Sequence, residues 1–441
     1  MNIQHSNINK QILLTSLSLF VQFSITTVDF IFLEKISYLA AIGVASLIVF
    51  VYMIQQIITV FSQSMVSNAL YKDASLGEDF KSITSLGFIL TLSIAIIMCV
   101  IIFFFQGSIL SGIKISAEAK QYAVVYMVNM IPFFLAFAIQ QYFSYILYSV
   151  GLARLNFIYF IVIIILNTVL NIISLYILQL GVAGIAWSSS LSVILVLPVY
   201  IYLAHKYNVN IRLHKFQKDT YLKVYLGVKN LGITAIIEPI AQNSVRFILV
   251  LIVAYLGQEV ISAKRHASNF LTLALTLSLS FGIILQAAIS RLYGEYKLED
   301  IKKLYAKYVR IGIIANFLLS AITLGFIYLT LDFYSTSTDV KKYIIICLFM
   351  GLFTEPMRLL SLISKAHIRG LQVANTPFIF SFAAKLLLIY PFYYLVIKYT
   401  EFGVVGILAV EGISYFANYV VYTFMIKRKY KALSSLKDNT L

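Results

Sequence analysis

Charge is what this 441-residue chain has least of. Only 12% of its residues are charged, 61% are hydrophobic and the mean hydropathy is +0.90, a balance that excludes a soluble domain and fits a polytopic membrane protein. Acids are scarcer than bases, 18 against 34. The net charge of +16 would suit nucleic acid, yet the Lys and Arg residues fall in short gaps between apolar runs and form no binding arm, so no nucleic-acid partner is expected. Two cysteines, Cys99 and Cys347, both lie inside apolar runs without CxxC or Cys/His spacing, which predicts neither a disulfide framework nor a structural metal site. No Walker motif offers ATP drive. A nucleophile with its base, paired catalytic carboxylates and a metal triad are all missing from the pattern, so no enzyme activity and no cofactor are expected. The N-terminus leads into an apolar run longer than a signal-peptide core, with no small-residue cleavage site, and is expected to be retained.

What is present is apolar length. At roughly 20 residues per spanning helix, twelve spans are expected: 11–33, 38–69, 83–105, 120–149, 155–178, 181–204, 230–256, 259–289, 309–331, 341–366, 373–397 and 403–426. The runs are continuous rather than alternating, so they predict helices and not barrel strands. Of the 34 Lys and Arg, 23 fall on the side holding both termini and 6 on the other, which places both termini in the cytoplasm by the positive-inside rule. The basic tail KRKYKALSSLK is expected to face lipid headgroups on that side. The expected loop 205–229 divides the chain into an N-terminal lobe, 1–204, and a C-terminal lobe, 230–441.

The two halves echo each other. QSMVSNALYKDASLGEDFK resembles QAAISRLYGEYKLEDIKK after the second span of each half, VGLARLNFIYF resembles RGLQVANTPFIF between the fourth and fifth, and LGVAGIAW resembles FGVVGILA at the start of the sixth. Six spans per copy keep both copies in the same orientation, so the expected fold is an all-α polytopic membrane protein. Its two six-helix lobes would be related by a pseudo-two-fold along the membrane normal, around a central cleft.

VDFIFLEKISYLAAIGVAS resembles the first-helix signature of multidrug and toxic compound extrusion (MATE) transporters. NTVLNI, 167–172, resembles that family's fifth-helix motif, LGVAGIAW its sixth-helix start, and Gln286 with the loop after it the equivalent C-terminal stretch. The likeness covers nearly the whole chain and implies export of organic solutes against inward flow of H+ or Na+. Two departures stand out. Asn171 occupies a fifth-helix position where the family often has Asp, and LEKISY replaces a turn where Gly is frequent.

An acid inside a span is a candidate functional residue because its charged form must face water, a partner or an ion. Asp29, near the outer end of the first span, is the expected proton or cation binder of the N-terminal lobe; its bland alternative is an interfacial carboxylate. Asn167 and Asn171 lie four apart on one helix face and either orient Asp29, ligate Na+ through oxygen, or bond neighbouring helices. Gln22, seven residues before Asp29, could join them. In the seventh span, Glu238, Gln242 and Arg246 form a stripe at i, i+4 and i+8, with Pro239 freeing a carbonyl. Glu355 and Arg358 lie three apart in the tenth span, and Lys385 is expected at the depth of Glu411; internal pairing competes with a role in substrate binding or coupling for all of these. The bases of the C-terminal spans predict a solute with an anionic or zwitterionic part meeting Arg246 or Arg358.

The expectation is therefore a monomeric, cation-coupled exporter of small organic solutes in the lipid bilayer of a bacterial inner membrane, without ATP. A flippase for lipid-linked oligosaccharide or polyprenyl phosphate, from the same superfamily, is the alternative, and a membrane scaffold or receptor a third. Extra spans and a stronger cationic lining would favour the flippase; twelve spans and a nearly charge-free N-terminal lobe do not.

Overall fold

A backbone without water must bond to itself, and within single apolar segments only the helix allows that. In the computed structural model the described residues, 8–111, 116–206, 217–253, 258–331, 338–373, 375–384, 387, 390–399 and 403–438, contain helices and turns with no strand. The helices are α1 (Ile8–Ile36), α2 (Tyr38–Lys72), α3 (Glu78–Ser111), α4 (Ala117–Asn129), α5 (Ile131–Ser149), α6 (Ala153–Ile172), α7 (Gly181–Lys206), α8 (Lys218–Gly227), α9 (Ile233–Val253), α10 (Gln258–Phe270), α11 (Thr272–Gly294), α12 (Leu298–Thr330), α13 (Thr338–Gly370), α14 (Asn375–Ala384), α15 (Tyr390–Tyr399) and α16 (Gly403–Asp438). Among the described residues ten helical segments are long and apolar enough to cross a membrane. The expected second and eleventh spans coincide with α2 and with α14 plus α15. The all-helical multi-pass architecture is therefore as the apolar runs predict.

Local chemistry explains where the helices stop. Ser37 alone separates α1 from α2: in extended backbone, its side chain accepts a hydrogen bond from the Leu39 amide at 3.1 Å. A serine N-cap thus builds the turn that LEKISY left without glycine. The fourth span is broken at Met130, with Pro132 in the first turn of α5, where a missing N–H costs nothing. The seventh begins twelve residues earlier than expected, with α8 running through a π turn at Val228–Gly232 into α9. The repeated turns also share geometry. After α5, Gly151 has φ 86° and Leu152 N–H bonds Leu147 O; after α13, Gln372 has φ 60° and Val373 N–H bonds Ile368 O. Both are six-to-one caps closed by a left-handed residue. Gly181 and Gly403, opening the sixth span of each half, are left-handed too, at φ 60° and 48°.

The chain forms two compact units, Met1–Asn243 and Ser244–Leu441, called unit 1 and unit 2 below. In unit 1, α5 packs against α2, α3 and α7 and is buried along most of its length, from Phe133 to Tyr148. In unit 2, α13 holds the equivalent central place, packed by α10, α11, α12 and α16. Each is the fourth span of its half. The outer helices turn Ile96, Ile97, Val100 and Phe103–Phe105 of α3, or Ile314, Leu318, Ile322 and Phe326 of α12, away from the protein, faces that suit hydrocarbon and not water.

Close approach of α2 to α4 depends on Gly43, where a Cβ would lie 2.2 Å from the Ala119 carbonyl oxygen. Backbone cannot step aside like a side chain. Gly43→Ala is expected to cost about 1–3 kcal/mol by overpacking, read as a lowered apparent melting midpoint. Gly107→Ala in α3, where nothing lies within 4 Å, should not lower it.

Candidate functional site

Three helices of unit 1, α1, α6 and α7, pack together and enclose Asp29, which is 3% exposed. Asn167 and Asn171, four apart on α6, present their amides side by side because one helical turn brings them to the same face. Asn171 Nδ2 donates to Asp29 Oδ1 at 2.9 Å and Asn167 Nδ2 at 3.1 Å. Ser189 Oγ of α7 donates to Oδ2 at 2.5 Å, and Tyr126 OH of α4 approaches it at 3.5 Å. Asn167 Nδ2 also reaches Ser189 Oγ at 3.0 Å, and Asn171 Nδ2 reaches Asn167 Oδ1 at 3.3 Å. Asn167, Asn171 and Ser189 are buried as deeply as the acid.

Every one of these partners is neutral. Among the described residues no Lys, Arg or His forms an ion pair with Asp29. Burying a carboxylate without a counter-charge is expensive even with good hydrogen bonds, so the arrangement favours the acid either holding a proton or beside a bound cation. The neighbours fit both conditions. Asn171 Oδ1 is buried with no partner, a free acceptor for an acid O–H or a free ligand for a cation, and the hydroxyls of Ser189 and Tyr126 can donate or accept by rotation. Gln22, expected to join, is half-buried with Oε1 unpartnered, and the hydrogen bonds that hold Asp29 come from other residues. Sequence reasoning missed Ser189 and Tyr126. The run Ser188–Ser190 two turns into α7 is the one signal for the first; nothing distinguishes Tyr126 among 31 tyrosines.

The other sequence candidates lie elsewhere. Glu238 of α9 is buried in unit 1 and accepts from Gln242 Nε2 at 2.7 Å, so the i, i+4 stripe is real over its first two members. The Arg246 side chain and Lys385 lie outside the described residues. In unit 2, Glu355 and Arg358 of α13 pair at 2.8 Å as their spacing predicts. Glu411 of α16, expected opposite Lys385, meets Lys264 of α10 at 3.4 Å and Arg358 at 3.7 Å. Tyr415 donates to Glu411 at 3.2 Å and lies 4.9 Å under the Arg358 guanidinium. Two acids thus meet two bases. Arg358 is paired inside unit 2, as the internal-pairing alternative expects.

Comparisons with known proteins find similarity in part of the sequence and in the whole fold. Residues 235–395 match the MatE family. A probable multidrug resistance protein NorM of Oceanobacillus iheyensis is 24% identical over 294 residues, 62% of this chain and 64% of that protein. The matched segment is thus similar to the MATE family. A MATE protein solved in the straight conformation superposes with a TM-score of 0.83 at 18% identity, covering 97% of this chain and 96% of the other. The outward-facing conformation of a multidrug resistance MATE transporter of the MOP superfamily gives 0.80 at 17%, with 97% and 96% covered. At such identities the likeness is one of fold, and it extends over both units. The matched MATE segment contains Glu238, Gln242, Glu355 and Arg358 but not Asp29, so the Asp29 constellation rests on its own geometry. The curated relative is matched over less than two thirds of its length.

Proposed function

We propose that this protein is a MATE-type secondary active exporter of small organic solutes, drugs or metabolites, coupled to inward movement of H+ or Na+ by alternating access. It works as a monomer in a bacterial inner membrane with both termini in the cytoplasm, and Asp29 with Asn167 and Asn171 is its ion site. The observation that carries this reading is a deeply buried acid whose four partners are all neutral and whose neighbour, Asn171, offers a spare acceptor. A carboxyl in that position changes its charge state whenever water or a cation reaches it. The change does work only if the ion prefers one conformational state over another. The family match supports transport of drug-like solutes, as the NorM relative is described.

The test is flux in proteoliposomes. With the purified chain reconstituted and ethidium as probe, an imposed H+ or Na+ gradient should drive solute movement that stops when the gradient is collapsed. Flux indifferent to both gradients contradicts the exporter.

A further inference from the structure

Gly312 and Gly351 of unit 2 make room for a neighbour. In α12 a Cβ on Gly312 would meet Leu359 Cδ2 at 2.8 Å, and in α13 one on Gly351 would meet Leu271 Cδ1 at 2.9 Å. Gly325 of α12 is different: nothing lies within 4 Å of the Cβ it lacks. Glycine is a poorer helix former than alanine, and here no other helix comes closer in return. The space belongs to a groove of about 620 Å³, walled by Leu324, Gly325 and Tyr328 of α12, Ile345 and Phe349 of α13 and Val405 of α16. Spacings of three and four residues bring each helix's contributors to one side. Among the described residues no charged side chain lines the groove, and the Tyr328 hydroxyl is its one side-chain hydrogen-bonding group.

What fills the groove follows from where it lies. Under the orientation proposed above, α12 rises from the cytoplasmic side at Leu298 and ends outside at Thr330, while α13 and α16 start on that outer side at Thr338 and Gly403. Gly325 is five residues, about 8 Å, from the outer end of its helix, so the groove opens within the outer half of a hydrocarbon layer about 30 Å thick. Its rim continues a face already turned to lipid, for Ile322 and Phe326 are exposed beside it on α12. Water would find almost no polar partner there, and a void would forfeit the contacts of its walls. A hydrocarbon chain fits. A drug-sized solute would need several convergent polar groups to orient it, which this groove lacks. One turn nearer the outer surface of α13 stands Lys342, exposed, and three, four and seven residues before Ile345, Ile346 and Phe349 of the groove wall. Bases are scarce on that side of the chain. We infer that the groove binds one anionic phospholipid of the outer leaflet, with an acyl chain laid along Gly325 and the headgroup phosphate at Lys342. The bound chain completes the packing where α12, α13 and α16 leave space.

Lipid retention is read without any solute, so this site stands or falls apart from the exporter reading. The full chain, purified in detergent and mixed with equal amounts of phosphatidylglycerol and phosphatidylcholine, is weighed by native mass spectrometry. The wild type should retain one phosphatidylglycerol. Gly325→Leu lays a side chain into the groove where its Cβ meets no other atom, and should cut that adduct about tenfold, the equivalent of overpacking one apolar site. Ala321→Leu, one turn away on the same wall, should do the same and carries the test if Gly325→Leu does not fold. Gly107→Leu on α3, where space is also open, should change nothing. Lys342→Gln should lower the preference for phosphatidylglycerol about fivefold, the worth of one base beside an anionic headgroup. Wild-type retention in both groove-filling variants, or equal retention of the two lipids by the wild type, overturns the site. So does displacement of the lipid by ethidium, or a dimer that forms only when lipid is stripped, since either gives the groove to another occupant.

Discussion

Asp29→Asn should abolish gradient-driven solute export while leaving the protein folded. The amide matches the carboxylate in shape and cannot take up or release a proton at neutral pH. An ion that moves two conformational states from roughly one-tenth to nine-tenths populated must discriminate between them about 100-fold, so removing its site should slow export by about two orders of magnitude. Folding should survive because Ser189 and Tyr126 can each turn from donor to acceptor toward the new amide nitrogen. The apparent melting midpoint should stay level or rise, since a buried ionisable group is replaced by a neutral one. Initial rates of ethidium flux together with the midpoint check both halves. Full-rate export by a folded Asp29→Asn protein would remove this acid from the mechanism.

A swap sharpens the test. Asn171 Nδ2 lies 2.9 Å from Asp29 Oδ1, so Asp29→Asn combined with Asn171→Asp returns the carboxyl to nearly the same point on another helix. Partial recovery of export is expected, because the remaining partners, Asn167 and Ser189, still face the site. A swap as inactive as the single variant would mean that the acid must sit on α1 itself.

How much of this was legible follows from what each feature depends on. Spanning helices depend on composition alone, and runs such as α3 or α12 show it over thirty residues. The pairing of Asn167 with Asn171, of Glu238 with Gln242 and of Glu355 with Arg358 depends on helical spacing, and each pair is where 3.6 residues per turn places it. What a single helix cannot report is the rotation of its neighbour. Depth along the membrane matched Glu411 with Lys385, which lies outside the described residues; among the described residues Lys264 on α10 and Arg358 on α13 face it. Ser189 contributes the shortest bond to Asp29 through a hydroxyl that any interhelical serine carries, and only the packing of α7 on α1 gives it a role. The single-residue turn at Ser37 was hidden for the opposite reason: the expected glycine was absent, while the serine cap that replaces it was in plain view.

Removing Arg358 should be the most destabilising charge change in unit 2. Glu355 is 2% exposed with Oε2 already unpartnered, and its other oxygen faces Arg358 at 2.8 Å. Arg358→Met would leave that acid buried and uncompensated and would also lose the stacking on Tyr415. Breaking a buried pair this way costs about 3–5 kcal/mol, which should appear as a clear fall in apparent melting midpoint. Arg358→Met with Glu355→Leu should recover most of the loss, because a buried ion pair exchanged for apolar side chains of similar size is close to neutral. Glu411 would keep Lys264 as its partner in that double variant, so the rest of the cluster stays balanced. The recovered protein then separates structure from coupling. If it exports as the wild type does, the four charges hold α10, α13 and α16 together and nothing more; if it is stable but silent, Glu355 and Arg358 take part in the cycle, and Asp29 does not drive export alone.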